Sequence, residues 1–138
     1  MGFIRGLVNY NGNLPSALQA GEGMLANFGP LVNNLDASLV LTVADLSGGY
    51  IYQGATITAT RLFVLPTAAA ILAAWPSMGI GDSFPFVVTN AQTAAFTLAV
   101  GLGSGITQAG TAGFSNIANL SSRIFLLQKT SSSTLLLY

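Results

Sequence analysis

Apolar and polar residues alternate in short runs over most of the chain beyond residue 36, and this two-residue period predicts β-strands. Turn segments rich in Gly, Ser and Asp separate the runs, and the last two runs predict a hairpin. The predicted strands are 38–43, 50–53, 56–65, 84–90, 95–100, 123–130 and 134–138, with weaker candidates at 106–108 and 112–119. Eight or nine short strands at near-regular spacing are typical of an all-β sandwich or a small barrel.

One stretch, residues 67–75, has a helical pattern instead. A proline lies on either side of it, and five of its nine residues are alanine, the strongest helix former. Thr67 is placed to cap the free backbone amide of Ala69 or Ala70. The sequence therefore predicts a single short crossover helix at the end of the sandwich.

Residues 1–35 have a different pattern, in which Gly, Asn and Pro interrupt the apolar residues every few positions. The segment is too apolar for a disordered tail and too interrupted for a regular element. It is either an irregular edge packed on its own domain or an extended arm that lays apolar anchors on a neighbouring subunit. The candidate anchors are Phe3, Ile4, Leu7, Tyr10, Leu14, Leu18, Met24 and Phe28. We therefore divide the chain into an irregular N-terminal arm, 1–35, and a β-sandwich domain, 36–138.

Charged residues make up only 6% of the chain and the formal net charge is zero, whereas an ordinary soluble domain has roughly 25% charged residues. Freely diffusing proteins usually keep their net charge away from zero, which limits association. Much of the surface is therefore expected to be buried against copies of the chain or against a partner. The four cations are too dispersed to form the basic patch of a nucleic-acid-binding protein, so no nucleic-acid partner is expected.

The mean hydropathy of +0.64 raises the question of a membrane span. The charge-free stretch between Asp82 and Arg123 is long enough to span, but Pro85 and five glycines between 101 and 113 interrupt it. It contains no window of roughly 20 consecutive apolar residues, so no membrane association is expected. Residues 1–9 are apolar but too short for a signal peptide, so none is expected either.

The chain offers few reactive side chains. It has no histidine and no cysteine, which excludes Ser–His–Asp and Cys–His catalysis and His-ligated zinc. The acidic residues are Glu22, Asp36, Asp45 and Asp82, and their spacing does not match a calcium-binding loop. Asp45 and Asp82 stand beside glycines and are predicted to bond nearby amides within turns. We expect no enzymatic activity, no cofactor and no metal.

Three aromatic residues and one loop are candidates for ligand binding. Trp75, Tyr50 and Tyr52 have the chemistry to stack on sugars, although packing of Trp75 against the sandwich is the simpler interpretation. The loop 101–105 is rich in glycine but lacks the lysine of a phosphate-binding loop. It is predicted to be a hairpin loop.

Arg61 and Arg123 are each embedded in an apolar run. A mid-strand arginine is either a rim residue with a solvated guanidinium or one half of an inter-subunit pair with a carboxylate. Both alternatives stay open, and both residues are candidate contacts to a capsid or to a neighbouring subunit.

Several short motifs, in their order, resemble small β-sandwich proteins of tailed phages and other large double-stranded DNA viruses. The motifs are GGYI (48–51), LPTAAAI (65–71), GDSF (81–84), FxVxN (86–90) and TLAVGxG (97–103). LPTAAAI and GDSF are the most specific, and the resemblance covers roughly residues 39–138. Pro85 and the segment 110–122 depart from the family pattern.

The resemblance implies a jelly-roll-like β-sandwich of about eight strands with one short crossover helix at 67–75. It implies a homotrimer on the outer capsid surface of a virion. There the protein would act as a capsid decoration (cement) or minor capsid protein that bridges copies of the major capsid protein. The alternative is a receptor- or glycan-binding domain of a phage tail fibre or spike, with Trp75, Tyr50, Tyr52 or the loop 101–105 in the site.

Overall fold

The fold is given by a computed structural model, which describes residues 31–111 and 115–138 of the chain. These residues form ten short strands and two short helices. The strands are β1 (Leu31–Asn33), β2 (Leu39–Val40), β3 (Tyr50–Gln53), β4 (Arg61–Val64), β5 (Ser83–Asn90), β6 (Leu98–Gly101), β7 (Ile106–Gln108), β8 (Asn116–Ile117), β9 (Ser121–Lys129) and β10 (Leu135–Leu137). The helices are α1 (Val43–Ser47) and α2 (Ala68–Ala74).

The strands form two sheets, which confirms the prediction of a mainly β chain with a two-sheet architecture. The six-stranded sheet has the order β1-β3-β5-β9-β10-β7, and the four-stranded sheet has the order β2-β4-β6-β8. Of the eight strand pairs in this described part, five are parallel. The other three are antiparallel and include the predicted hairpin of β9 and β10.

The first six strands wind as a coil, because each strand lies in the sheet opposite to the strand before it. As a result β1, β3 and β5 stand side by side and parallel in one sheet, and β2, β4 and β6 do so in the other. Parallel neighbours need a crossover connection, and here a strand of the opposite sheet belongs to each crossover. After β6 the chain reverses, and β8 and β9 run antiparallel to β6 and β5.

The core lies between the two sheets and is built by the inward side chains of alternating strand positions. Phe63 of the four-stranded sheet and Phe86 and Phe125 of the six-stranded sheet are fully buried. Phe86 and Phe125 occupy opposed positions on β5 and β9, and their rings stack with centroids 5.4 Å apart. Ile71 of α2 belongs to the same buried cluster, so the helix packs on this core.

Three parallel strands of the six-stranded sheet each end in a buried residue with a side-chain amide, and we call these three side chains the amide ladder. Asn33, Gln53 and Asn90 are the last residues of β1, β3 and β5, and strand register aligns them. Asn33 Nδ2 donates to Gln53 Oε1 at 2.6 Å, and Gln53 Nε2 and Asn90 Nδ2 each donate to two backbone carbonyl oxygens. Because a buried amide without a partner is costly, the Asn33–Gln53 bond of this amide ladder favours one register of β1 and β3. Asn90 instead bonds the backbone of β8 and of the segment before β6.

The predicted helix is confirmed within a residue at each end. The Thr67 hydroxyl accepts a hydrogen bond from the backbone N–H of Ala70 at 3.1 Å, as the capping argument required. The predicted strands at 50–53, 84–90, 106–108, 123–130 and 134–138 are confirmed to within two residues. The candidate at 95–100 is observed as β6, and within 115–119 the strand is β8, while residues 112–114 of that candidate lie outside the described residues.

The predicted strand 38–43 is wrong beyond residue 40, because a capping box starts α1 there. The Thr42 hydroxyl accepts the N–H of Asp45 at 3.2 Å, and Asp45 Oδ2 accepts the N–H of Thr42 at 2.7 Å. These reciprocal bonds satisfy two amides that a strand would have offered to a neighbour. The segment 45–49, predicted as a plain turn, therefore contains the end of a helix.

The predicted strand 56–65 begins too early, since side chains engage the amides of its first residues. The N–H of Ile57 donates to Gln92 Oε1 at 3.1 Å, and the N–H of Thr58 donates to Asp36 Oδ1 at 3.2 Å. Only Arg61–Val64 pairs with neighbouring strands as β4.

The division of the chain between residues 35 and 36 stays a prediction, although one strand precedes it. Leu31–Asn33 form β1 at one edge of the six-stranded sheet. Three residues are too few to show a readable alternation, and Asn33 is held by the amide ladder rather than by an apolar pattern. The end of the segment assigned to an irregular arm is therefore part of a sheet.

Candidate interaction surface

The outward side of the six-stranded sheet carries mainly apolar side chains, arranged in four rows by strand register. From one end to the other the rows are Val32, Tyr52, Thr89 and Ser122; Tyr50, Val87 and Ile124; Pro85, Leu126 and Tyr138; and Ser83, Gln128, Leu136 and Thr107. We call this set of side chains the outer face. Ile124 is 68% exposed and Leu126 is 41% exposed, so the middle of the outer face is open in the part of the chain that the structure describes.

The polar groups of the outer face lie mainly in its two end rows. The hydroxyls of Thr89 and Ser122 are hydrogen-bonded at 2.7 Å in one end row. At the other end, the Tyr138 hydroxyl reaches out of its apolar row and donates to Gln128 Oε1 at 3.2 Å. An apolar centre with a polar border is the usual anatomy of a protein–protein interface.

None of the outward positions that form the outer face carries a charged side chain. The two cations of β9 are Arg123 and Lys129. They occupy odd-numbered positions of the strand, as the buried Phe125 and Leu127 do, whereas the outward residues occupy even-numbered positions. Lys129 Nζ donates to the carbonyl oxygen of Met78 at 2.6 Å, beyond the strand end. The outer face is therefore uncharged although charged residues occur in one of its own strands.

Arg61 has a carboxylate partner in its own chain, and its contact with a capsid or a neighbouring subunit stays a prediction. Its guanidinium forms an ion pair with Asp36, with Nη2 2.6 Å and Nε 2.7 Å from Oδ1. The Thr58 hydroxyl donates to the other carboxylate oxygen at 2.7 Å. Arg61 is the first residue of β4 rather than a mid-strand residue, and Asp36 lies in the connection between β1 and β2. The pair therefore ties that connection to the four-stranded sheet.

The hydrogen bond from the Thr58 hydroxyl, followed by the one from Arg61, holds the pKa of the Asp36 carboxyl below its ordinary value of 3.8. A carboxyl with a lowered pKa in the folded state stabilises the fold above its unfolded-state pKa, and that contribution is lost as the pH falls through the folded-state pKa. We expect Asp36→Asn to unfold at lower denaturant concentration than wild type at pH 7. The difference should shrink steadily below about pH 4, as measured by urea unfolding across the pH range. A difference that stayed constant down to pH 2 would contradict the assignment.

Arg123 is the third residue of β9 and lies opposite Val88 of β5. It is half-buried, and its position in the strand places it on the same side as Phe125. It therefore does not belong to the outer face. A contact of Arg123 with a capsid or a neighbouring subunit stays a prediction.

The three aromatic candidates for sugar stacking do not form one platform. Trp75 ends α2 and packs edge-on against Phe84, with ring centroids 4.5 Å apart, and Phe84 is buried on the inward side of β5. Tyr50 and Tyr52 lie on the outward side of the same sheet, with ring centroids 6.3 Å apart. Packing of Trp75 against the core, the simpler interpretation, is confirmed.

The loop 101–105 is not the predicted hairpin loop, because it leads from β6 in one sheet to β7 in the other. Its backbone is bonded to the segment that starts α2. The N–H of Leu65 donates to the carbonyl oxygen of Gly101, and that of Ala68 donates to Ser104, both at 2.9 Å. The glycine-rich segment is thus a packed connection between the sheets.

Asp45 and Asp82 both accept a nearby backbone N–H, as predicted, but only Asp82 does so in a turn, since Asp45 lies in α1. Asp45 closes the capping box at the start of α1. Asp82 Oδ2 accepts the N–H of Gly79 at 2.7 Å, which closes the turn before β5. Within residues 31–111 and 115–138, no group of three or more His, Cys, Asp or Glu side chains is placed to hold a metal ion.

The candidate anchors of the arm, from Phe3 to Phe28, lie outside the described residues. The residues that sequence reasoning missed are those of the outer face, above all Val87, Ile124 and Leu126. A signal for them exists, because the apolar run Ile124 to Leu127 does not alternate with polar residues. A strand that is apolar at successive positions has two apolar faces, and only one can face its own core.

No protein-family model matches the chain, and no curated protein or solved structure is significantly similar to it. The resemblance to viral β-sandwich proteins therefore rests on the sequence motifs alone. In the part of the chain that the structure describes, no helix is long and apolar enough to cross a membrane.

Proposed function

We propose that the protein is a structural protein of a virion. In this proposal it is a capsid decoration (cement) or minor capsid protein that assembles as a homotrimer and bridges copies of the major capsid protein. The observation that carries the proposal is the exposed, uncharged outer face. Such a face is suited to being covered by protein, and the chain's low charge and zero net charge point the same way.

The mechanism in this proposal is mechanical, and its driving force is the burial of apolar area. At about 25 cal/mol per Å², an interface of roughly 1,600 Å² has a gross hydrophobic term larger than the association cost of about 4–15 kcal/mol. A trimer that contacts several capsid subunits at once gains further through avidity. No reactive side chain is required for this role.

The jelly-roll-like connectivity that the resemblance implies is part of the proposal and stays a prediction. A jelly roll is built from antiparallel strands, and the strands β5, β9 and β10 fit that pattern. The parallel coil of β1 to β6 is a departure from it. In this proposal the chain is a member of that family with a modified N-terminal half.

The second candidate function is a receptor- or glycan-binding domain of a tail fibre or spike. One observation favours it: Tyr50 and Tyr52 lie side by side on the outer face, and tyrosine rings stack on sugars. Trp75 and the loop 101–105, the other candidates for such a site, are engaged in packing inside the fold. This leaves a pair of half-buried tyrosines as the whole platform.

The two functions are separated by a binding experiment on the full chain. Empty capsids assembled from the major capsid protein of the same genome are sedimented with the purified protein, and the same protein is applied to host cells and to a glycan array. The virion proposal expects saturable, stoichiometric co-sedimentation with capsids and no glycan signal. Glycan or cell binding without capsid binding establishes the alternative. The absence of all three signals contradicts both functions.

A further inference from the structure

We infer that the outer face of the six-stranded sheet is the surface through which copies of this chain pack against one another. This deepens the proposed function, on which it rests for the homotrimeric state, because it names the side of the subunit that faces the other copies. In a trimer, the outer face would then be turned toward the three-fold axis. The capsid would be contacted through a different part of the subunit.

The size of the outer face is the first argument. The four rows hold 14 positions, and at about 4.8 Å by 6.6 Å each they give a plan area on the order of 450 Å². Monomeric proteins rarely expose an apolar patch larger than a few hundred Å². A stable interface buries roughly 600–1,000 Å² of each partner, and projecting side chains raise the accessible area of a sheet above its plan area. The outer face is therefore close to the size that one partner contributes.

The absence of charge is the second argument, and it selects a second copy as the occupant. The outward positions carry no cation for an anionic membrane or nucleic acid and no carboxylate for a basic partner. Copies of the outer face meet around a three-fold axis without desolvating any charged side chain. Because the net charge of the chain is zero, the copies also approach one another without long-range repulsion.

The side chains at the centre of the outer face are the third argument. Tyr50 lies in the same row as Val87 and Ile124, so a tyrosine ring flanks a β-branched apolar pair. Tyrosine has few rotatable bonds, is enriched at the energetic centre of interfaces, and keeps its hydroxyl available for a hydrogen bond. Closed cyclic symmetry then buries the same patch once in every subunit.

Thiol labelling tests this inference on the full chain, because the natural sequence contains no cysteine. The test variant is Ile124→Cys on the outer face, and the matched control is Val40→Cys on β2 of the other sheet. The two side chains are equally exposed in a single chain, at 68% and 70%. The maleimide labelling rate of each is measured over a range of protein concentrations, with circular dichroism and mass photometry on the same samples.

The expected result is that labelling at position 124 slows at least tenfold as oligomers form, whereas labelling at position 40 does not change. Fast labelling at position 124 in samples that are fully oligomeric overturns the inference. Slow labelling at position 124 in monomeric samples also overturns it, because the face is then covered within one chain. A protein that stays monomeric at every concentration overturns it as well.

A charge placed on the outer face gives an independent readout of assembly. Ile124→Asp is expected to convert oligomer to folded monomer, whereas Val40→Asp leaves the oligomer intact. An Ile124→Asp protein that is folded and oligomeric overturns the inference. If Ile124→Asp does not fold, the labelling experiment decides.

The outcomes separate this inference from the proposed function. Rapid labelling in oligomers that still bind capsids removes the inference and leaves the function. Protection at position 124 in a protein that does not bind capsids removes the function and leaves the inference.

Discussion

Replacing Phe86 with alanine is expected to lower the free energy of unfolding by about 3–5 kcal/mol, which is a large part of the total stability of a domain. Phe86 is fully buried and stacks on Phe125 of the facing strand, with ring centroids 5.4 Å apart. The substitution removes the transfer free energy of the ring and leaves a cavity. The pair belongs to two long neighbouring strands, so collapse around the cavity would have to distort both of them.

Urea unfolding followed by circular dichroism measures this effect, and Ser83→Ala is the matched control. Ser83 lies three residues earlier in β5 and is exposed. The control is expected to stay within about 0.5 kcal/mol of wild type. Phe86→Ala should shift the unfolding midpoint with little change in slope, since the surface exposed on unfolding stays similar. Equal midpoints for both variants would contradict the placement of Phe86 in the core.

The sequence predicted an element correctly where its residue types and its local hydrogen bonds favour the same secondary structure. The strand at Tyr50–Gln53 contains two tyrosines and an isoleucine, residue types that favour strands. The helix at Ala68–Ala74 combines alanine with a threonine cap, and both were readable. The strand predicted at 38–43 failed because its apolar pattern suits β2 and the start of α1 equally. The deciding feature was the bond between Thr42 and Asp45.

Sequence patterns could not predict the parallel coil of the first six strands. Alternation tells which face of a strand is buried but carries no information about the neighbouring strand or its direction. A coil with equal turns would have shown an internal repeat. Here the second turn of the coil contains α2 and the first contains α1, so the turns differ in length and composition. The side-chain amides that end β3 and β5 are visible in the sequence, but the sequence does not show that the strand register aligns them.

The sequence predicted the character of the candidate surface but not the residues that form it. Low charge and zero net charge indicated that some surface is covered, and the structure supplies a face of that character. The two candidate arginines do not lie on the outer face. Arg61 is neutralised by Asp36 of the same chain, and Arg123 lies on the core side of β9. Pairing of β9 with β5, two strands far apart in the same chain, was needed to bring Ile124 and Val87 together.

The glycine-rich loop between β6 and β7 has a structural role that a single added methyl group should reveal. Gly103 is buried, and a Cβ atom there would lie 2.6 Å from the carbonyl oxygen of Leu65 and closer still to that of Pro66. Both obstacles are backbone atoms, which cannot rotate away as a side chain does. The same segment is fixed by the bond from the N–H of Ala68 to Ser104. We therefore expect Gly103→Ala to cost about 1–3 kcal/mol or more, typical of overpacking.

The control for this prediction is Ser104→Ala, one residue further along the loop. Ser104 is exposed, and its bond to Ala68 uses the backbone carbonyl, which the substitution keeps. We expect its urea midpoint to match that of wild type, whereas Gly103→Ala unfolds at clearly lower urea concentration. If Gly103 served a ligand rather than packing, Gly103→Ala would unfold like wild type. The size of the midpoint shift thus decides whether this loop holds the two sheets and α2 together or is free to bind.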